Sequence, residues 1–77
     1  MVGYLARSLA GHDKGSLYII IEETDQYLFL ANGKERTLEK PKRKNRKHVA
    51  LIKIKNPINS NEAIKHSIRE YRRNADV

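Results

Sequence analysis

The chain has 77 residues, enough for one domain with a small core, so an enzyme built around a deep substrate cleft is not expected. It contains no cysteine, which excludes disulfides and thiolate metal sites. It shows neither the apolar run of a membrane helix nor a secretory signal, so we expect a cytoplasmic protein. The formal net charge of +7 is uneven: residues 1–39 carry 4 basic and 6 acidic side chains, whereas residues 40–77 carry 12 basic and 3 acidic ones.

Two strands and a glycine-bracketed turn are predicted at the start of the chain. Tyr4 to Ala10 has the pattern of a short strand, and the turn Gly11 to Gly15 stops it, with Asp13 able to cap its own backbone. Leu17 to Ile21 is an aromatic and β-branched run that is apolar on both faces. We therefore expect it to be a central strand covered from two sides.

A hairpin is predicted next. Tyr27 to Ala31 reads as a third strand, and the Asn32-Gly33 pair after it is typical of a two-residue turn with positive φ at both positions. Lys34 to Glu39 is then expected to return antiparallel to the third strand.

The segment from Lys40 to Lys47 is the most basic part of the chain. Only Pro41 and Asn45 within it are uncharged, so it repels itself and lacks the apolar side chains of a core element. We expect this basic segment to be either a loop or an exposed strand edge.

A strand and a helix are predicted after the basic segment. Val49 to Ile54 alternates isoleucine with lysine, which indicates one buried and one positive face. Residues 57–73 read as an amphipathic helix that starts near Asn59, because Asn59 and Glu62 have capping-box spacing. Its apolar face is predicted to hold Ile64, Ile68 and Tyr71.

The expected fold is mainly β. About five short antiparallel strands in a chain of this length favour a small barrel, onto which the C-terminal helix packs. We assign the barrel to residues 1–56, including the basic segment at 40–47, the helix to 57–73 and a tail to 74–77.

The region from Leu5 to Gly33 resembles the KOW motif of several ribosomal proteins and NusG-type transcription factors. The likeness lies in three stretches: the turn AGHDKG (10–15), the strand LYIIIEE (17–23) and the hairpin YLFLANGK (27–34). It continues into RTLEKPKRKNRKHV (36–49), which is similar to bacterial KOW-domain RNA-binding proteins related to ribosomal protein fourteen of the archaeal and eukaryotic large subunit. The resemblance implies an SH3-like barrel that binds RNA, often ribosomal RNA, through loops at one end, and Gly15 matches the hallmark glycine.

Clustered cations make the basic segment the leading binding site, since they gain affinity by displacing counterions from nucleic-acid phosphates. The other interpretation is a solvated loop that only aids solubility. The residues predicted to bind RNA are Lys14, Lys40, Lys42, Arg43, Lys44, Arg46, Lys47 and His48. The residues predicted to shape the turns are Gly11, Asp13, Gly15, Asn32 and Gly33.

Three other groups of residues admit two interpretations each. The backbone amides around Lys14 either form an anion-binding concavity or belong to an ordinary tight turn. Aromatic side chains in the strands could stack on bases, but core packing is favoured for Tyr4, Tyr18, Tyr27 and Phe29. Helix cations could extend the RNA contact or neutralise the helix dipole, and these are Lys65, Arg69, Arg72 and Arg73.

The predicted function is therefore RNA binding by a monomer, on or near the ribosome. A protein-interaction module and a small DNA-binding protein are the alternatives. We expect no catalysis and no metal, because His12, His48 and His66 are too scattered for a local metal motif. We also expect no cofactor, no small-molecule substrate and no membrane contact.

Overall fold

Five strands, one short 3-10 helix and one C-terminal helix make up the computed structural model, which describes residues 1–75. The elements in chain order are β1 (Tyr4–Ser8), β2 (Leu17–Glu23), β3 (Tyr27–Ala31), β4 (Lys42–Asn45), the 3-10 helix (Arg46–His48), β5 (Val49–Lys55) and α1 (Asn61–Ala75). The predicted mainly-β class, with five antiparallel strands and a C-terminal helix, is confirmed.

All five strands belong to one sheet in the order β4-β3-β2-β1-β5, and every neighbouring pair is antiparallel. β4 and β5 therefore form the two edges. No backbone ladder joins these edges within residues 1–75, so hydrogen bonding does not close the sheet into the predicted barrel.

The central strand β2 is covered on both faces, as its sequence predicts. Successive side chains of a strand point to opposite sides, so β2 contributes to two apolar layers. One layer, which we call the helix layer, consists of Leu5, Leu17, Ile19, Ala31, Ile64 and Ile68. The other, the sheet layer, consists of Ala6, Tyr18, Ile20, Leu28, Leu30 and Val49.

The predicted two-residue hairpin at Asn32-Gly33 is wrong. A primed turn needs positive φ at both positions, and no residue other than glycine has positive φ within residues 1–75. The Asn32 Oδ1 instead accepts hydrogen bonds from the amides of Lys34 (2.9 Å) and Arg36 (3.0 Å). Residues 34–39 form no strand, and the antiparallel partner of β3 is β4.

Gly33 explains why this connection leaves the sheet. Its backbone lies against the first turn of α1, where a Cβ would overlap the Asn61 carbonyl oxygen and come within 2.6 Å of Lys65 Cγ. The Leu38 amide then donates to Asn61 Oδ1 at 2.8 Å. The connection is therefore held by the helix, a contact that no local sequence pattern encodes.

Several predicted boundaries shift by a few residues. β1 ends at Ser8 rather than Ala10, and β5 runs one residue further, to Lys55.

Ile54, predicted to be buried, is 47 % exposed because the β1–β5 register shifts between Tyr4 and Leu5, which breaks the inside-outside alternation. The basic segment contains the edge strand β4, one of its two predicted forms.

The helix starts later and ends later than predicted. Its first turn is capped by the Ser60 hydroxyl, which accepts from the Ala63 amide at 3.1 Å, so the Asn59 capping box is wrong. α1 continues to Ala75, so the assigned tail begins in helix, and residues 76–77 lie outside the described residues. The predicted apolar face is confirmed, since Ile64, Ile68 and Tyr71 all pack on the helix layer.

Replacing Gly33 by alanine tests the close approach of the connection to α1. Gly33 and Gly15 both have positive φ, but only Gly33 has neighbours that a Cβ would meet. We expect Gly15→Ala to cost about 1–2 kcal/mol from backbone strain. Gly33→Ala should cost about 1–3 kcal/mol more because of overlap with α1. Urea denaturation measures both, and equal losses for the two variants would contradict the assigned contact.

Candidate nucleic-acid interface

The turn between β1 and β2 holds a carboxylate that is largely covered. The side chain of Asp13 is 14 % exposed and is surrounded by donors from three strands. Asp13 Oδ1 accepts from the Ser8 hydroxyl at 2.9 Å and from Lys44 Nζ at 2.8 Å. Asp13 Oδ2 accepts from the Tyr18 hydroxyl at 2.7 Å, and Lys42 Nζ lies 3.4 Å away from it. We call this arrangement the Asp13 cluster.

These contacts change the ionisation of two members of the Asp13 cluster. Burial alone would raise the pKa of Asp13, but hydrogen bonds from Lys44, Tyr18 and Ser8 outweigh it and hold that pKa well below its usual range. Burial, with the adjacent carboxylate, raises the pKa of Tyr18 to about 12. Asp13 is therefore charged and Tyr18 neutral at physiological pH.

The turn itself is shaped by Gly11 and Gly15, whose φ values are 87° and 91°. Its amides are used internally, because those of Lys14, Gly15 and Ser16 donate to the carbonyls of Gly11, Ser8 and Asp13 in that order. Phosphate could therefore not bind these three amides without breaking the turn. What Lys14 offers to a ligand is its exposed side chain.

The basic segment divides into two groups because β4 alternates. Lys42 and Lys44 pair with Leu30 and Leu28 of β3 and lie on the side of the sheet layer, where they reach Asp13. Lys44 Nζ also donates to the Ala10 carbonyl at 2.9 Å, and its side chain is only 10 % exposed. Lys44 is thus a cation that fastens the edge strand to the first turn.

Arg46, which follows β4, binds the turn between β2 and β3. Its Nη2 lies 2.7 Å from Glu23 Oε2, and both Nε and Nη2 donate to the Thr24 carbonyl. The Arg46 hydrogen bond lowers the pKa of Glu23. Three of the predicted RNA contacts, namely Lys42, Lys44 and Arg46, are therefore occupied by intramolecular ion pairs.

The other predicted cations face solvent. Arg43 points to the opposite side of β4 from Lys44, and its guanidinium carbon lies 4.6 Å from the centre of the Tyr27 ring, a cation–π contact. Within residues 1–75, no salt bridge forms at the remaining exposed residues of the predicted site, which are Lys14, Lys40, Arg43, Lys47 and His48. We call Lys14, Lys40, Arg43 and Lys47 the free cations.

The aromatic side chains occupy two kinds of position. Tyr18 is buried and Tyr4 packs against the sheet layer, as the core-packing interpretation expects. Tyr27 and Phe29 are half-buried and belong to neither apolar layer, so the favoured core packing is wrong for these two side chains. Arg43 faces Phe29 across β3 and β4, so an arginine and two rings share one partly open patch of the sheet.

Sequence reasoning did not separate structural from free cations. The one sequence feature that hinted at a structural lysine was Asp13, because an acid in a turn beside basic residues needs a cationic partner. Its partner, Lys44, is 31 residues away in the chain, so spacing could not identify it. The turn residues Asn32 and Gly33 also lie apart from this cluster, against α1.

The described part of the chain contains neither a metal-binding cluster nor a membrane-spanning helix. Within residues 1–75, no three His, Asp or Glu side chains come together to hold a metal ion. The same residues include no helix that is long and apolar enough to cross a membrane.

No protein-family model matches this chain, and no curated protein matches its sequence.

Replacing Lys44 tests whether its ammonium group is structural. Lys44→Met leaves the covered Asp13 carboxylate without its closest cation, and we expect it to destabilise the fold by about 3 kcal/mol. Lys47→Met removes the same charge from an exposed position three residues later and should change stability by less than about 0.5 kcal/mol. Urea denaturation of both variants measures the difference. Equal stabilities would show that the ion pair of Lys44 with Asp13 contributes nothing.

The depressed pKa of Asp13 predicts how stability depends on pH. Because the folded-state pKa lies below the unfolded value near 3.9, the Asp13 contribution is complete above about pH 5 and declines as pH falls through 4 and below. Asp13→Asn should therefore lower stability at pH 7 and narrow its gap to the native protein as pH falls toward 2. Glu22→Gln, at an exposed carboxylate of β2, serves as the control. A gap that stays constant from pH 7 to pH 2 would contradict the assignment.

Proposed function

We propose that this chain binds structured RNA, ribosomal RNA in particular, through the free cations Lys14, Lys40, Arg43 and Lys47. The observation that carries the proposal is that the Asp13 cluster fastens β4 while these four side chains remain exposed and without salt bridges in the described residues. Arg43 lies in the edge strand β4, Lys40 and Lys47 lie just before and after it, and Lys14 lies in the turn that the Asp13 cluster joins to β4. Cations held close to an anchored strand suit the phosphates along an RNA backbone.

The resemblance to KOW-domain proteins supports the same class of ligand. It extends through the turn that contains Asp13 and through the basic segment, which the ion pair of Asp13 with Lys44 joins in space. The proposal includes a cytoplasmic monomer that works on or near the ribosome and has no catalytic activity.

The number of free cations sets the expected salt dependence. Six phosphate contacts would follow from the whole basic segment, but Lys42, Lys44 and Arg46 could reach RNA only if their ion pairs opened. Four contacts at about −0.7 each give a logarithmic slope near −2.8, or roughly a fiftyfold loss of affinity between about 50 and 200 mM salt.

Neutralising two free cations tests the proposal. Arg43→Gln with Lys47→Gln should weaken binding to a ribosomal RNA fragment roughly twenty-five-fold at about 0.1 M salt, because two counterion-releasing contacts are lost. Lys53→Gln with Lys55→Gln removes the same charge from exposed positions of β5 and should have a much smaller effect. Fluorescence anisotropy at several salt concentrations measures both the affinity and the slope.

Three outcomes would contradict the proposal. Equal weakening by both double variants would mean that only net charge matters. Unchanged RNA affinity of the Arg43 and Lys47 variant, together with recovery of one stoichiometric protein after nuclease treatment, would favour the protein-interaction alternative. Tighter binding to duplex DNA than to RNA would favour the DNA alternative.

A further inference from the structure

A groove lies between α1, the start of β2 and the connection that follows β3. Its volume is about 300 Å³. Two side chains of the helix layer, Leu17 and Ile68, lie at its floor, and both are almost fully buried. Its rim carries four cations, which are Lys34, Lys65, Arg69 and Arg72.

The fold brings these cations together from two separate segments. Lys65, Arg69 and Arg72 follow the spacing i, i+4, i+7, so they form one stripe along α1 beside Ile68. Lys34 comes from the connection after β3, which reaches α1 because Gly33 has no side chain to hold it away. The absence of a Cβ at Gly33 therefore permits the fourth cation to join the stripe.

The charges on the rim are poorly compensated by the protein itself. Glu35 is the one carboxylate among the groove residues, and Lys65 pairs with Glu62 at 2.8 Å. Within residues 1–75, no salt bridge forms at Lys34, Arg69 or Arg72. Neighbouring like charges repel each other, so an anion bound between these cations would relieve their repulsion.

Neutralisation of the helix dipole does not account for the arrangement. Cations are favourable in the last turn of a helix, which holds Arg72 and Arg73. Lys65, however, is the fifth of 15 helical residues, nearer the positive end of the dipole, and Lys34 is not in the helix. Arg73 is paired with Glu70 at 2.7 Å and is not among the groove residues.

We propose that this groove binds a phosphorylated nucleotide, with its phosphate on the rim cations and its base or ribose over Leu17 and Ile68. A bare phosphate would use the charges but not the apolar floor, whereas a volume of about 300 Å³ lies at the lower end of the range for small-ligand sites. The nucleotide is either one unit of a bound RNA strand or a free mononucleotide. The first of these two sources rests on the proposed function.

Methyl NMR of the full chain tests this inference. We would titrate the protein with adenosine monophosphate, with a short single-stranded RNA and with inorganic phosphate. The methyl signals of Leu17 and Ile68 should shift with at least one of the two nucleotide probes and stay in place with inorganic phosphate. The methyl signals of Leu28, buried in the sheet layer, should not move with any of the three.

Variants of neighbouring arginines test which of them contact the ligand. Arg69→Gln with Arg72→Gln should weaken nucleotide binding at least about tenfold, the value of one charge-assisted hydrogen bond. Arg73→Gln changes an adjacent arginine that does not line the groove and should alter the affinity less than about twofold. Far-UV circular dichroism confirms that α1 persists in both proteins.

The outcomes separate the sources of the nucleotide. Shifts of the floor methyls with RNA alone assign the groove to a strand, and shifts with the mononucleotide alone assign it to a free nucleotide. Floor methyls that stay in place with both nucleotide probes, or equal weakening by Arg73→Gln, would overturn the inference.

The test also separates this inference from the proposed function. If RNA binding depends on Arg43 and Lys47 while the floor methyls never move, the proposed function holds and the groove does not bind nucleotides. If the mononucleotide shifts the floor methyls in a protein that binds no RNA, the groove stands and the proposed function fails.

Discussion

The ion pair between Asp13 and Lys44 is the interaction on which the edge of this sheet depends. The sequence of β4 is KRKN, so this strand has no apolar side chain to bury and cannot be held by the hydrophobic effect. Its backbone ladder with β3 supplies one attachment. The Asp13 cluster, which lies in the turn between β1 and β2, supplies a second. Breaking a pair that is this well covered would strand a charge, so the strand and the first turn are fixed together.

This constraint divides the basic segment between structure and binding. Alternation along β4 directs Lys42 and Lys44 to Asp13 and leaves Arg43 on the open side beside Tyr27. Arg46 then closes the other end of the strand on Glu23. The proposed RNA surface is accordingly smaller than the charge of the segment suggests, but Arg43 extends from an anchored strand. The groove on α1 adds a second positive surface that rests on different residues.

Local patterns were sufficient for the elements that bury their own side chains. The run in β2 that is apolar on both faces predicted a strand covered from two sides, and the helical spacing in α1 predicted the apolar face of Ile64 and Ile68. The prediction failed where a distant residue decides the conformation. The connection at Gly33 takes its path from contact with α1 and not from a hairpin turn. Ile54 faces solvent because the register of β1 and β5 shifts. The role of Lys44 depends on an acid 31 residues earlier, which spacing along the chain could not reveal.

Nitrogen-detected NMR of the lysine ammonium groups, with and without a ribosomal RNA fragment, tests the division of the basic segment most directly. It reports on each ammonium group in one sample, so structural and RNA-bound lysines are distinguished without mutation. The Nζ signals of Lys14, Lys40 and Lys47 should shift when RNA is added, whereas that of Lys44 should remain unchanged because Asp13 and the Ala10 carbonyl already hold it. A shift of Lys44 as large as that of Lys47 would show that the ion pair opens for RNA, and it would contradict the account.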